Sequence, residues 1–226
     1  ATMAQGDYTV YIYSYLIGPM KPPEIHKGRG ALSNPEGRFE SIRKLVESDG
    51  WDAPADEADL PPLKTEVRAD PSRSIISRND SPDIPFSQSI NPYKGCEHGC
   101  IYCYARPSHA YLNLSPGLDF ETKLFYKADA ATLLDRELRK PGYRVSSMML
   151  GANTDPYQPV EKKLEVTRSI LEVLQRFHHP VALITKSTLI ARDLDILVEL
   201  ARERLVTVMV SITTLDDDLK RSLEPR

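Results

Sequence analysis

The sequence has almost no cysteine, and what it has is confined to one eight-residue stretch: three in 226 residues. So clustered a set cannot build a disulfide framework. Closely spaced cysteines with no others in the chain read as metal ligands in a reducing compartment. Charge of one sign is also lacking, since 29 Lys and Arg stand against 32 Asp and Glu, a net charge of −3. That removes a global case for nucleic-acid binding and leaves room only for a local basic groove. Long hydrophobic runs are missing too. The longest, Tyr8–Ile17, falls well short of the roughly 20 residues that span a bilayer. It carries neither a basic leader nor a small-residue cleavage site, so no secretory signal is expected. These absences point to a cytoplasmic protein with no membrane partner. The length suits one large domain, or a domain with extensions, able to bury most of its apolar surface.

What is present divides into three parts. Residues 1–20 are rich in tyrosine and aliphatic side chains, and Tyr8–Ile17 reads either as a strand or as non-native sequence ahead of a start at Met20. Residues 21–86 form an N-terminal extension, mostly loop and rich in proline. One helix is expected from Arg38 to Glu47, with Phe39, Ile42, Leu45 and Val46 on one face. Asp52–Leu63 reads as linker. The stretch Lys27–Glu40, KGRGALSNPEGRFE, is either a surface turn or a lid that touches substrate, its two glycines flanking Arg29.

From residue 87 to 226 the pattern becomes regular. Strands are expected at Ser87–Pro92, Val145–Leu150, Val181–Thr185 and Leu205–Ile212, with a strand or extended segment at Phe120–Lys127. Helices are expected at Tyr104–Asn113, from an Asp129 N-cap through Arg139, at Glu161–Phe177 and at Asp193–Glu203. On the last, Leu194, Leu197, Val198 and Ala201 should face inward. Another helix should begin at Asp216, with Asp216–Asp218 complementing its dipole. Alternation of this kind argues for α/β architecture with parallel βαβ units, curled into part of a barrel. Apolar strands without alternation fit a sheet covered on its faces. Reactive groups then belong at the C-terminal ends of the strands.

The cysteine stretch reads Cys96-Glu-His-Gly-Cys100-Ile-Tyr-Cys103 and follows the first strand of this series. An iron–sulfur cubane is ordinarily held by four thiolates. Three would leave one iron with an open position, which suits binding and activating a small molecule. The competing reading is structural zinc on the three cysteines with His98 or His109. Zinc sites usually join two separated ligand pairs, and no second pair exists here. His98 otherwise reads as a solvated loop residue, and His178 and His179 as structural.

The C-x3-C-x2-C spacing resembles the cluster motif of the radical S-adenosylmethionine (SAM) enzymes. Together, NPYKGCEHGCIYCYAR and GANTDPYQPVEKKLEVTR resemble the photolyase-like branch of that family, related to spore photoproduct lyase. The similarity runs from about Ser87 to Arg226. Lys27–Glu40 also resembles an N-terminal stretch of one bacterial subfamily. The resemblance implies a partial (βα) barrel, with about four of six units present and the C-terminal part missing. It implies a [4Fe-4S] cluster on Cys96, Cys100 and Cys103, and SAM chelated to the open iron. Tyr102 would pack the adenine. Asn153, Thr154 and Asp155 occupy the place of the motif that binds the SAM amino group, though no Gly-Gly-Glu occurs and Thr154 or Asp155 could merely cap. Lys186 reads either as a partner of the SAM carboxylate or as a solvated lysine, beside Ser187 and Thr188, which could help or cap. Ser211 and Thr213 would reach the ribose.

The activity so implied is reductive cleavage of SAM to a radical that abstracts hydrogen, fed by an external reductant of the flavodoxin or ferredoxin type. The substrate is not legible, and the branch suggests nucleic-acid repair or modification. There is no fourth cysteine to return a hydrogen atom, a role left to a tyrosine such as Tyr104 or Tyr157. The alternative is an iron–sulfur or zinc module acting as sensor or scaffold without turnover.

Overall fold

The computed structural model describes residues 28–36 and 63–226. The strand or start expected before Met20, the Arg38–Glu47 helix and nearly all of the Asp52–Leu63 linker lie outside the described residues. Eight strands follow in order: β1 (Glu66–Ala69), β2 (Ser77–Arg78), β3 (Gln88–Ile90), β4 (Tyr93–Lys94), β5 (Lys123–Tyr126), β6 (Met148–Leu150), β7 (Val181–Thr185) and β8 (Val206–Val210). They form a five-stranded sheet in the order β2-β3-β6-β7-β8 and a three-stranded sheet in the order β1-β5-β4.

In the larger sheet β3, β6, β7 and β8 are parallel and lie in chain order, the four units the sequence pattern anticipates. Helices cover it: α2 (Ala130–Leu138), α4 (Val166–Arg176) and α5 (Leu194–Arg202), with α3 (Glu161–Leu164) leading into α4. Leu134, Ile170, Leu171, Leu174, Ile196 and Leu200 pack with Ile90, Met148, Leu150, Val181 and Leu183 in one core. Burying each such side chain stabilises the fold by about 1.5–3 kcal/mol. The sheet does not close into a barrel among the described strands. The open edges are β2, antiparallel to β3, and β8, paired to β7 alone.

Several expectations are corrected. Phe120–Lys127 is not one extended segment, because α1 (Leu118–Thr122) precedes β5. The first N–H groups of α1 are taken by Ser33 O and Asn34 Oδ1, partners far away in sequence. The Tyr104–Asn113 helix is a 3-10 turn over Arg106–Leu112, with a proline in its first turn and Asn113 at φ 55° ending it. β6 is shorter than Val145–Leu150, and Val145 is exposed. Its partner β3 offers only Gln88–Ile90 for pairing. α5 starts after a second 3-10 turn, Thr188–Asp193, and buries Ile196, Leu197 and Leu200. Leu194, Val198 and Ala201 lie outward instead. Asp129 sits at the N-cap of α2 without a side-chain cap bond, whereas Asp216 caps α6 (Asp217–Leu223) through Asp218 N and Leu219 N. β7 alternates, with Val181, Leu183 and Thr185 buried and Ala182 and Ile184 partly so.

The expected Glu161–Phe177 helix breaks at Glu165, which is left-handed at φ 51°. The cause is Glu161. Its fully buried carboxylate accepts from Thr167 N at 3.0 Å and Arg168 N at 3.3 Å, and so caps the first turn of α4. It also takes Arg192 at 2.7 Å and the Tyr93 hydroxyl. Among the described residues no helix is long and apolar enough to cross a membrane.

Candidate functional site

The cysteine loop leaves β4 at Lys94 and is braced from three sides. Cys96 N donates to Phe120 O at 2.9 Å. Gln158, fully buried, clamps the loop with both ends of its amide, donating to Gly95 O at 3.1 Å and accepting from Glu97 N at 3.0 Å. Arg106 donates to Cys100 O at 2.9 Å and to Glu121 at 2.6 Å. Glu121 in turn accepts Gly30 N at 3.1 Å and Ala31 N at 2.9 Å, and Arg29 reaches Glu121 O at 2.6 Å. The described part of Lys27–Glu40 is therefore no simple surface turn. Arg29 is buried, and the stretch latches the outside of the cysteine loop. A Cβ on Gly30 would stand 1.8 Å from Gly99 O, a backbone contact that only glycine allows.

Behind the loop, the segment after β6 turns at Gly151, whose φ of +82° and contact with Pro156 favour glycine. Asn153 N donates to Asn91 Oδ1 at 2.9 Å, and its side chain donates to Ser108 at 3.2 Å. Thr154 gives its hydroxyl to Tyr93 O at 2.9 Å. Asp155 holds Tyr157 N at 2.8 Å, Thr185 Oγ1 at 2.7 Å and Lys186 N at 3.0 Å. Burial alone would raise its carboxyl, but the contacts with His98, Lys186 N and Thr185 outweigh that and lower it.

Nine of the residues singled out from the sequence line one cavity: Cys96, Cys100, Cys103, Tyr102, Asn153, Thr154, Asp155, Lys186 and Ser211; Ser187, Thr188 and Thr213 do not. Tyr104, Gly151, Ile184, Thr185 and His98 complete it. They come from the loop after β4 and from the C-terminal ends of β6, β7 and β8. Lys186 donates to the Tyr102 hydroxyl at 2.7 Å and to Glu224 at 2.5 Å, and its ammonium lies 5.0 Å from the Tyr102 ring centre. Thr213 joins this group, 2.8 Å from the Tyr102 hydroxyl and 2.6 Å from Glu224. Burial alone would raise the Glu224 carboxyl; bonds from Lys186, Thr213 and Tyr102 bring it down to about 2. Ser187 caps, accepting from Leu189 N at 3.2 Å.

The sulfur environment fits a metal cluster. Burial pushes the Cys96 thiol up, while the backbone N–H groups of His98 and Asp155 point at its sulfur and oppose that shift. Burial also raises Cys100, against the pull of Lys186 beside it. Donors of this kind stabilise anionic sulfur, and a bound metal deprotonates coordinating thiols. Among the described residues, no three His, Cys, Asp or Glu side chains gather around the position of a single ion. In a cubane each thiolate holds its own iron, so the cysteines can line a cavity without converging.

Five side chains stand differently from their reading in the sequence or drew no reading there. His98 is not solvated: it is buried and faces the cavity. His109 is buried elsewhere, 3.0 Å from Lys123 O and edge-on to Phe120. Tyr157 is fully buried and bonds Asp193 at 3.1 Å, outside the cavity, so of the two tyrosines only Tyr104 is placed to act there. Glu224 and Gln158 carried no local signal. His179 bonds the Tyr143 hydroxyl at 2.8 Å and is structural, as expected.

Residues 90–226 match the family model described as the radical SAM superfamily. The Rv2578c protein of Mycobacterium tuberculosis, described as uncharacterised, is 41% identical over 141 residues, 62% of this chain and 42% of its own length. The Mb2609c protein of Mycobacterium bovis, also uncharacterised, matches to the same extent. The uncharacterised MJ0683 protein of Methanocaldococcus jannaschii is 29% identical over 136 residues, covering 60% of this chain and 48% of its own. The match thus spans about half the length of these curated relatives. No solved structure matches the chain.

Proposed function

The chain belongs to the radical SAM superfamily, and we propose that it holds its cluster on Cys96, Cys100 and Cys103 and its SAM against Tyr102, Asn153, Thr154, Asp155, Lys186 and Ser211. Members of the superfamily are enzymes that bind a [4Fe-4S] cluster and SAM. The observation that carries the assignment is the convergence of those nine residues, from four separate loops, on one cavity. When bound and reduced, the cofactors supply a 5′-deoxyadenosyl radical that takes a hydrogen atom from substrate.

The chain's own groups bind and orient. Lys186 offers a fixed ammonium to the SAM carboxylate. Tyr102 offers a ring face for the adenine, its hydroxyl tethered by Lys186 and Thr213. Asn153 and Ser211 offer polar contacts from the ends of β6 and β8, while Thr154 and Asp155 hold those loops in register. Electrons come from an external donor of the flavodoxin or ferredoxin type, in the cytoplasm.

Within the superfamily we place the chain in the photolyase-like branch, acting on nucleic acid in a lyase or modification reaction. The two sequence motifs, NPYKGCEHGCIYCYAR and GANTDPYQPVEKKLEVTR, support this placement. Anaerobic reconstitution should load about four irons per chain, and Cys100→Ala should abolish loading. Reduction with SAM should yield 5′-deoxyadenosine. Stoichiometric zinc without iron uptake would sink the reading, and iron without 5′-deoxyadenosine would favour a sensor. Salt-dependent binding to a duplex oligonucleotide tests the branch placement.

A further inference from the structure

His98 stands between two of the cysteines, and its environment is anomalous. Its side chain is 8% exposed, yet neither ring nitrogen has an aligned hydrogen-bond partner among the described residues. Buried polar atoms are almost always paired, because leaving one unpaired forfeits its hydration with nothing in return. The nearest acceptor is Asp155 Oδ2, 3.4 Å from Nε2. That distance is a charge contact rather than a good hydrogen bond. The same oxygen already accepts Lys186 N at 3.0 Å, and Oδ1 holds Tyr157 N and Thr185 Oγ1. Among the described residues there is therefore no good acceptor for the imidazole N–H, which the ring carries in either charge state.

The ring lines the cavity with all three cysteines. Two acceptors could enter that space, a cluster sulfur or the SAM carboxylate. Sequence position decides between them. His98 is two residues from Cys96 and two from Cys100, so its ring is tied to the ligand loop. Lys186 and Asn153, the groups offered to the polar end of SAM, come from other loops, while Tyr102 of the ligand loop is offered to the adenine. The backbone N–H of His98 opposes the upward shift of the Cys96 thiol, which sets that N–H beside the Cys96 sulfur.

We infer that His98 is a positioning residue that donates a ring N–H to a sulfur of the cluster and so sets how readily the cluster is reduced. The inference rests on the cluster assignment to Cys96, Cys100 and Cys103. Hydrogen bonds to cluster sulfurs stabilise the more negative, reduced state and raise the potential. Without this donor the cluster should be harder to reduce, although iron content should be unchanged.

The test is a redox titration followed by electron paramagnetic resonance on the reconstituted full-length protein, first without SAM. His98→Leu should load iron to the wild-type level and show a lower midpoint potential. His98→Asn and His98→Gln place an amide N–H near the positions of Nδ1 and Nε2, and one of them should restore the potential. An unchanged potential in iron-loaded His98→Leu would overturn the proposal. So would a shift seen only after SAM is added, which would assign the N–H to the SAM carboxylate. If the leucine variant does not hold iron, the amide pair decides, and equal potentials in the two would overturn it. A wild-type chain that takes up no iron would instead sink the cluster assignment, so the two failures remain distinct.

Discussion

At Lys186, a single ammonium meets a phenol hydroxyl at 2.7 Å, a carboxylate at 2.5 Å and an aromatic face. So constrained a charge is already oriented before any ligand arrives. Lys186→Ala and Asn153→Ala should each weaken SAM binding to the reconstituted protein. Removing one charge-assisted or buried hydrogen bond costs about 1.5–3 kcal/mol, roughly tenfold or more in affinity. Equilibrium binding checks this, and unchanged affinity in both variants would move the SAM contacts to other groups. That the cysteines and Lys186 would share one cavity was legible, because residue type and position after a strand carry that information. His98, Glu224 and Gln158 were not, because their roles depend on partners distant in sequence. Gln158 clamps Gly95 and Glu97, and Glu224 meets Lys186, Tyr102 and Thr213. An exposed loop histidine and a buried one look alike in a sequence.

Among the elements, the helix break at Glu165 shows how a buried group overrides periodicity. The apolar spacing through Phe177 favours one continuous helix, and Val166, Ile170, Val173 and Leu174 are buried as that spacing requires. What it does not contain is the inward turn of Glu161 toward Tyr93 and Arg192. Glu161→Ala would leave Arg192, Tyr93 and two helix N–H groups without this acceptor. Breaking a buried charge pair in that way costs about 3–5 kcal/mol. Chemical denaturation should show a loss of that size, and a loss below about 1 kcal/mol, the level of an exposed pair, would mean that solvent replaces the carboxylate.

The latch at Gly28–Glu36 makes a second prediction at this scale. Gly30→Ala sets a Cβ against Gly99 O, and neither backbone can yield by changing rotamer. The stretch should lift from Glu121 and loosen the cysteine loop. Iron should then be lost to a chelator faster than from wild type, with global denaturation little changed. An unaltered rate of iron loss would show that the latch does not restrain the loop.

Over the whole molecule, one ionic network ties the helical layer to the loop after β6. Asp193, its side chain fully buried, takes Arg192 at 2.7 Å, Arg168 at 2.9 Å and the Tyr157 hydroxyl at 3.1 Å. Burial alone would raise its carboxyl, but Arg192 and Arg168 outweigh it and hold it below the ordinary range. A carboxyl lower in the folded state than in the unfolded one binds fewer protons when folded. Its contribution is therefore present above the usual carboxylate value, about 3.9, and is lost as pH falls through the lower folded value. Thermal melts should show stability dropping below about pH 4, and Asp193→Asn should be less stable at neutral pH with a flatter acid limb. An acid limb as steep as wild type would place the titration elsewhere.

The sheet's own edge gives the last expectation. The sequence announced four parallel strands through apolar runs separated by helical spacing, and these register as β3, β6, β7 and β8. Closure was not legible, since curvature depends on how many strands share the sheet and not on the composition of any one. Among the described residues β8 pairs on one side only, and Val208, Val210, Ile212 and Leu215 are exposed along and beyond it. Unpaired N–H and C=O groups in a row template strand addition, and apolar side chains beside them strengthen it. The 226-residue chain should therefore self-associate with rising concentration. Val208→Lys with Val210→Lys should suppress this, because like charges along the edge repel a second copy. Sedimentation of the two proteins over a range of concentrations decides it: a wild-type chain that stays monomeric throughout would show that the β8 edge is covered by another route.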